Sequence, residues 1–333
     1  MTFSRFIFLG TCSAVPRPGH RNVSGMLLQF SCGSLALIDC GEATQHQLMR
    51  SSVRFGSIDN ILFTHLHGDH CYGIFGLLHT LNSGGRTAPV NVFGPRGIDE
   101  LVGTVLRLTG GWNGFPINVT EFEPENHRNF NLKSSSGTHL GSVDAFPMVH
   151  RVPAFGYVFR EPEPELVLDG NKARSLGVQG RDLGVLKSGS DVSLPNGVRV
   201  RAWDVTSPGK PARTIGIMQD TSNASAAVPV MPNCDLLIHE ATYDKELEEK
   251  AILYGHSTSV MAADIAARVN AKNLVLTHFS SRYGEKGENE ILRTEASEYL
   301  ASRNVNTNVV LAEDFMCLSG DDFSTITSVL KKD

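Results

Sequence analysis

Short apolar runs of strand length alternate with longer stretches of helical periodicity along almost the whole chain. Strand-like runs lie at 5–10, 25–30, 34–38, 60–64, 90–93, 143–148, 154–159, 198–204, 213–218, 234–239 and 273–277. Helical patterns, with apolar residues three or four positions apart, lie near 42–50, 69–81, 96–108, 244–253, 258–269 and 289–302. This alternation over both halves of the chain predicts a layered α/β architecture in which helices pack on sheets.

The alternation breaks down between residues 161 and 200. That stretch opens with Glu-Pro-Glu-Pro-Glu and continues with several glycine-containing turns and a balanced mixture of basic and acidic side chains. Because it is too polar and too rich in turns to join an apolar core, we expect a protruding arm inserted into the main domain. Its composition is compatible both with a plain surface excursion and with a binding arm.

The composition is typical of a globular protein with one sizeable core. The chain has 333 residues, of which 41% are hydrophobic and 20% are charged, and no apolar run reaches the ~18 residues that a membrane span needs. The N-terminus alternates like a strand and does not resemble a signal peptide. Six cysteines without CxxC spacing indicate reduced thiols. The sequence therefore predicts a cytoplasmic protein and leaves the nucleus as an open alternative.

The net charge limits how this protein could bind a nucleic acid. A formal charge of −5 argues against binding through a large positive field over the whole surface. Bound metal ions and a local basic patch can nevertheless supply positive charge where a phosphate lies. An RNA substrate is therefore compatible with the composition.

Three histidines and an aspartate follow the apolar run 60–63 within a single short segment. His65, His67, Asp69 and His70 all lie there, between a predicted strand and a predicted helix. Imidazole nitrogens and carboxylate oxygens are standard zinc ligands, and a strand-to-helix loop is a rigid place to hold them. The segment therefore predicts a metal site.

A site for two ions needs further ligands, and three side chains at the ends of other strand-like runs are candidates: His150, Asp220 and His278. Strand ends can converge at one edge of a sheet sandwich, although a single histidine at such a position is more often structural. Two ions ~3.5–4 Å apart suit an in-line displacement at phosphorus, so the prediction is hydrolysis of a phosphate ester with two Zn²⁺ per subunit. The predicted sets are His65, His67 and His150 for one ion, Asp69, His70 and His278 for the other, and Asp220 as the bridge.

Three side chains are candidates for proton transfer. Asp69 could accept the proton of an attacking water, because a carboxylate beside that water is a suitable base. Glu240 and His256 follow another strand and precede another helix, and an imidazole with a carboxylate partner can donate a proton to a leaving oxygen. The alternative is that Ser257 or Thr258 simply caps the helix and His256 is incidental.

Together these motifs resemble the tRNase Z family, the zinc endoribonucleases of the metallo-β-lactamase fold. The matching segments are 9–16, 39–45, 64–70, 150–157, 219–221, 239–242, 255–258 and 277–283. The histidine-rich segment 64–70 alone is weakly specific, because glyoxalase II, lactonases, arylsulfatases and DNA-repair nucleases share it. The His-Glu-Ala-Thr segment 239–242 and the His-Ser-Thr segment within 255–258 are much narrower.

The resemblance implies a four-layer αβ/βα sandwich, a homodimer, and cleavage of precursor tRNA after the discriminator base to leave a 3′-hydroxyl. It further implies that Asp69 is the general base, that Glu240 and His256 support protonation of the leaving group, and that Asp39 orients the metal loop. The insertion at 161–200 resembles the family's flexible arm, which is a tRNA-binding exosite.

Two other functions are compatible with parts of the pattern. A small-molecule phosphodiesterase or arylsulfatase of the same fold would use the same metal ligands without needing the arm. A non-catalytic RNA-binding relative would keep the fold but lose ligands, and all seven predicted ligands are present in this chain.

Overall fold

The computed structural model describes residues 2–17, 19–110, 114–283 and 287–331, and its framework is two mixed β-sheets. In chain order the strands are β1 (Phe3–Gly10), β2 (Gly25–Phe30), β3 (Leu35–Ile38), β4 (Ile58–Leu62), β5 (Val90–Pro95), β6 (Ile117–Phe122), β7 (Arg128–Lys133), β8 (His139–Met148), β9 (Ala154–Arg160), β10 (Val167–Leu168), β11 (Val192–Ser193), β12 (Arg199–Val200), β13 (Thr206–Ser207), β14 (Thr214–Met218), β15 (Leu236–Glu240), β16 (Asn273–Thr277), β17 (Asn308–Leu311), β18 (Met316–Ser319) and β19 (Thr325–Ser328). One sheet has the order β19-β18-β1-β2-β3-β4-β5-β6, and the other has the order β17-β16-β15-β14-β9-β8-β7.

Ten α-helices lie within the described residues, seven of them in the main domain and three within residues 162–212. They are α1 (Thr44–Arg50), α2 (Gly68–Cys71), α3 (Ile74–Ser83), α4 (Ile98–Leu108), α5 (Gly170–Ser175), α6 (Arg181–Lys187), α7 (Ala202–Val205), α8 (Glu248–Tyr254), α9 (Ser259–Arg268) and α10 (Glu290–Ser302). Short 3-10 helices lie at Phe55–Ser57, Ser225–Val230, Lys245–Leu247 and Ser281–Tyr283. No helix in the described ranges is long and apolar enough to cross a membrane.

The side chains of β1 alternate between two apolar cores, one on each face of its sheet. Phe6 and Phe8 lie in the core between the two sheets, whereas Ile7 and Leu9 lie in a second core on the other face, with residues of α1 and α3. Successive side chains of a strand point to opposite faces, so a strand covered on both faces is apolar throughout. The predicted α/β sandwich, with helices outside two packed sheets, is confirmed.

Three predicted elements were wrong in detail. The strand expected at 198–204 is only Arg199–Val200, because Asp191 accepts a hydrogen bond from the Ala202 backbone N–H (3.0 Å) where helix α7 begins. The helix expected at 69–81 is divided into α2 and α3. At Gly73 an added Cβ would lie 1.9 Å from the carbonyl oxygen of Gly41, so the helix break permits a close backbone approach.

The third difference concerns the predicted helix 244–253, which begins as the 3-10 turn Lys245–Leu247 and becomes α-helical only at Glu248.

Five strands of the two sheets were not predicted at all, namely β6, β7, β17, β18 and β19. Strand β19 is exposed along its whole length, and β6 and β7 are mostly exposed or half-buried. Such strands lack the apolar runs that identify buried ones.

A separate compact unit spans Pro162–Ala212, a longer stretch than the predicted insertion at 161–200. It has its own apolar core, which includes Ala173, Leu186, Val192 and Val205. The residues flanking it, Glu161 and Arg213, meet through backbone and side-chain hydrogen bonds, so the chain leaves and re-enters the main domain at one point.

A buried tyrosine connects the two sheets beside the candidate site. The Tyr157 hydroxyl, on β9, donates to the carbonyl oxygen of Phe63 (2.6 Å), and the Phe155 N–H donates to the carbonyl oxygen of Thr64 (2.8 Å). Phe63 and Thr64 follow β4 in the other sheet, directly before the histidine-rich loop. These two bonds fix the start of that loop against the second sheet.

We expect Tyr157→Phe to lower the free energy of unfolding by about 1–3 kcal/mol, because the Phe63 carbonyl would lose its buried hydroxyl donor. Denaturant unfolding measures this change. Tyr72→Phe is the matched control, since Tyr72 is 62% exposed and should lose little stability. Equal stabilities for the two variants would contradict the assigned role of the hydroxyl.

Candidate metal centre

Five histidines and two aspartates, the seven predicted ligands, converge at one edge of the sandwich together with a sixth histidine, His256. The structure brings together the two predicted sets and places Asp220 beside both, in one group with the first set and in another with His278. Within each group the ligand atoms lie within 4.8 Å of one another. The groups are His65, His67, His150 and Asp220; Asp69, His70 and His278; and Asp220, His256 and His278.

The buried carboxylate of Asp39 shapes the loop that carries four of these side chains. Its Oδ1 accepts a hydrogen bond from the Thr64 backbone N–H (2.8 Å), and its Oδ2 lies 2.7 Å from Nδ1 of His70. The Ser24 hydroxyl also donates to it (3.2 Å). Asp39 therefore holds both ends of the segment 64–70.

Hydrogen bonds at the outer ring nitrogens orient three of the histidines. Nδ1 of His70 lies 2.7 Å from Asp39, Nδ1 of His150 lies 2.7 Å from the carbonyl oxygen of Gly255, and Nδ1 of His278 lies 3.0 Å from the Thr242 hydroxyl. Outer partners of this kind fix the ring and leave Nε2 for a metal.

The inner nitrogens face one another without a hydrogen-bond network that satisfies them all. Nδ1 of His67 lies 3.0 Å from Nε2 of His65 and 3.2 Å from Nε2 of His150, and the Nε2 atoms of His70 and His278 are 3.2 Å apart. Oδ1 of Asp220 is buried without a well-aligned hydrogen bond, although Nε2 of His70 lies 3.3 Å and Nε2 of His278 lies 3.2 Å from it. Converging lone pairs and an unsatisfied carboxylate oxygen fit bound cations, so the residues present suit a metal centre.

The electrostatics of the site also suit cations. Burial lowers the pKa of His65, His67 and His150, which favours the neutral rings that bind metal. Burial acts the same way on His70, but the carboxylates of Asp220, Asp39 and Asp69 outweigh it and raise its pKa well above the usual value. The second set thus lies in a strongly negative environment.

Asp69 lies at the mouth of the centre. Its Oδ2 accepts a hydrogen bond from the Ala14 backbone N–H (2.8 Å) and lies 3.6 Å from Nε2 of both His70 and His278. Burial would raise its pKa, but these two histidines lower it below the usual value for an aspartate. Asp69 is therefore ionised at neutral pH and lines an open cleft of about 350 Å³.

Glu240 and His256 form a buried pair next to the two sets. Nδ1 of His256 lies 3.1 Å from Oε1 of Glu240, and the Thr221 backbone N–H donates to the same oxygen (2.7 Å). Burial lowers the pKa of His256, yet Glu240 more than compensates and raises it to about 9. Thr258 does cap helix α9, but His256 also has a specific carboxylate partner.

His239 lies outside the three groups, and Thr242 is a residue of the site that the sequence did not single out. Nδ1 of His239 lies 2.7 Å from the carbonyl oxygen of Glu240, and its ring belongs to none of the three groups. The Thr242 hydroxyl donates to Oε2 of Glu240 (2.5 Å) and lies 3.0 Å from Nδ1 of His278. Its position in the segment 239–242 was the only signal available in the sequence.

Comparison with known proteins gives a consistent assignment. Ribonuclease BN of Cronobacter sakazakii is 36% identical over 319 residues, covering 94% of this chain and 98% of the relative. Ribonuclease BN of Escherichia coli is 34% identical over 317 residues, covering 94% and 99%. A family model described as anti-Pycsar protein Apyc1 matches only residues 4–100.

Solved structures agree with these sequence relatives. Human tRNase Z, short form (ELAC1), has a TM-score of 0.65 and 30% identity and covers 95% of this chain and 98% of its own. The metallo-β-lactamase fold protein YhfI of Bacillus subtilis also has a TM-score of 0.65, with 96% and 100% covered, but at 19% identity it supports the fold alone. The chain therefore belongs to the tRNase Z family, which includes the ribonuclease BN proteins and has the metallo-β-lactamase fold.

Proposed function

We propose that this protein is a zinc-dependent endoribonuclease that removes 3′ trailers from precursor tRNA, cutting after the discriminator base to leave a 3′-hydroxyl. The observation that carries the proposal is the Glu240–His256 pair beside the two ligand sets, in a chain that matches ribonuclease BN along nearly its whole length. The ligand sets suit phosphodiester hydrolysis, and the pair suits expulsion of a ribose oxygen.

The proposed cofactors are two Zn²⁺ per subunit. Bound ions of this kind supply a nucleophile at neutral pH and positive charge for a phosphate. The buried, unsatisfied oxygen of Asp220 supports its assignment as the shared ligand. The proposed ligands are His65, His67 and His150 for one ion, Asp69, His70 and His278 for the other, with Asp220 common to both.

The protein's own acid and base groups would manage the protons. Asp69 is ionised and held by the Ala14 N–H, so its carboxylate can orient an attacking water and accept its proton. His256 is held by Glu240 and is protonated at neutral pH, so it can donate a proton to the leaving 3′-oxygen. Glu240 keeps the imidazolium charged and oriented.

Incubation with a 3′-extended tRNA, followed by mapping of both product ends, tests the function. We expect a single cut after the discriminator base, a 3′-hydroxyl on the tRNA and a 5′-phosphate on the trailer. Turnover of a small phosphodiester such as bis(p-nitrophenyl) phosphate, without cutting near the discriminator, would favour the small-molecule phosphodiesterase instead.

The metal assignment predicts losses in metal content as well as activity. Elemental analysis should find two zinc ions per subunit in the purified protein and about one in His150→Ala. The Asp220→Ala variant should hold fewer than one, because both sets would lose a ligand. His67→Ala and Asp69→Ala should abolish cleavage. A chelator should remove the activity and added zinc should restore it; full zinc content in Asp220→Ala would contradict the shared-ligand assignment.

The assignment of His256 predicts a defect in the chemical step. His256→Ala should slow single-turnover cleavage by the ~10²–10⁴-fold expected when a general acid is lost. Zinc content should stay at two per subunit. His79→Ala, at an exposed position of α3, is the control and should cleave at the normal rate. An unchanged single-turnover rate in His256→Ala would show that another group protonates the leaving oxygen.

We further propose that the unit Pro162–Ala212 is a flexible arm and a tRNA-binding exosite. Its Trp203 is 68% exposed, and the Arg201 guanidinium lies 5.2 Å from the centre of the indole ring. An exposed aromatic ring beside a cation is typical of surfaces that contact RNA. The arm lacks members of the two main apolar cores, which supports its removal without loss of the fold.

Replacing the arm with a short linker between Glu161 and Arg213 should therefore raise the KM for precursor tRNA by at least about tenfold and leave hydrolysis of a small phosphodiester intact. Trp203→Ala should raise the KM for precursor tRNA by a smaller factor, roughly threefold or more, because one stacking contact with a base is lost. Val198→Ala, at another exposed apolar position of the arm, is the control. If the enzyme without the arm lost activity equally on precursor tRNA and on the small phosphodiester, the deletion would have damaged the main domain.

The remaining proposals concern assembly and location. We propose a homodimer, which sedimentation equilibrium of the purified protein would test. The proposed location is the cytoplasm; the bacterial ribonuclease BN relatives give no support to the nuclear alternative.

A further inference from the structure

A second cavity, of about 340 Å³, lies beside the metal centre and is called here the tyrosine cavity. Its walls include Tyr243, Tyr254, Lys250 and Arg151, and it reaches His256. This volume is within the range of small-ligand sites. The proposed mechanism does not use the two tyrosines, the lysine or Arg151.

The tyrosine cavity combines aromatic faces with positive charge. The Lys250 ammonium lies 5.9 Å from the ring centre of Tyr243 and 6.0 Å from that of Tyr254, and Arg151 lies 6.0 Å from Tyr254. These distances are at the outer limit of cation–π contact, so the cations do not cover the rings tightly. None of the cavity's lining residues in the described part of the chain is acidic.

This combination suits a nucleotide. A nucleobase stacks on a tyrosine ring whatever its sequence, while ammonium and guanidinium groups attract the backbone phosphate. Tyr254 is 41% exposed, so its ring is accessible to a base without rearrangement of the core.

The position of His256 indicates which nucleotide enters. His256 lines both the tyrosine cavity and the cleft of the metal centre, whereas His67, Asp69 and Asp220 line only the cleft. In an in-line displacement the attacking and leaving oxygens lie on opposite sides of the phosphorus. The leaving oxygen would therefore lie next to His256 and away from Asp69. The ribose and base that carry this oxygen would then lie in the tyrosine cavity.

We propose that the tyrosine cavity binds the nucleotide on the 5′ side of the cut, the last one retained, with its base against Tyr254 and its backbone near Lys250 and Arg151. This inference rests on the proposed endoribonuclease function. It also fixes the polarity of the RNA, since the trailer must then leave through the cleft on the Asp69 side.

The test compares three 3′-extended tRNAs: one intact, one abasic at the nucleotide 5′ of the cut, and one abasic at the first trailer nucleotide. Tyr254→Ala should lower kcat/KM on the intact substrate roughly 5- to 100-fold, the size expected for loss of one stacked base. The defect should vanish on the first abasic substrate and persist on the second. Tyr254→Phe, which keeps the ring, should cleave nearly normally.

Leu253→Ala is the matched control, because Leu253 is adjacent on α8, is 73% exposed and does not line the cavity. A Tyr254→Ala enzyme as active as this control would overturn the inference, as would a defect that vanishes only on the substrate with the abasic trailer. Failure of the unmodified enzyme to cut any of the three tRNAs would overturn the proposed function, and the inference with it, before any substitution is considered.

Discussion

The metal centre depends on one buried carboxylate, that of Asp39. It lies at the end of β3 with a left-handed backbone (φ 57°) and is completely buried. Burial of a carboxyl group is costly unless hydrogen-bond partners surround it, and here Ser24, Thr64 and His70 do so. Because these contacts come from neighbouring strands and from the far end of the loop, the carboxylate fixes the geometry of the loop that carries His65, His67, Asp69 and His70.

Thr242 links the two chemical parts of the site. Its single hydroxyl lies between Oε2 of Glu240 and Nδ1 of His278, so it connects the Glu240–His256 pair with the second predicted ligand set. Groups joined by one hydrogen-bond network respond together to a change in any member. The orientation of His256 and the position of His278 are therefore not independent features of the site.

The sequence predicted the parts of the site that follow buried strands. His150, Asp220 and His278 could be identified because each follows an apolar run, and the carboxyl ends of β8, β14 and β16 lie at the same edge of one sheet. Their role as ligands stays a prediction. Arg151 and Tyr254 could not be grouped in the same way, because about a hundred residues separate them and no periodic pattern marks them. Exposed strands such as β19 were not predicted for a related reason, since a strand that is not buried needs no run of apolar residues.

The junction at Glu161 and Arg213 has a consequence for how the main sheet assembles. Strands β9 and β14 are neighbours, yet the whole unit Pro162–Ala212 separates them in the chain. Closing a flexible loop of that length would carry an entropic cost and slow the pairing of the two strands. A unit with its own core, whose flanking residues meet, instead acts as a short tether. Once that unit is folded, β14 can pair with β9 as if the intervening segment were a tight turn.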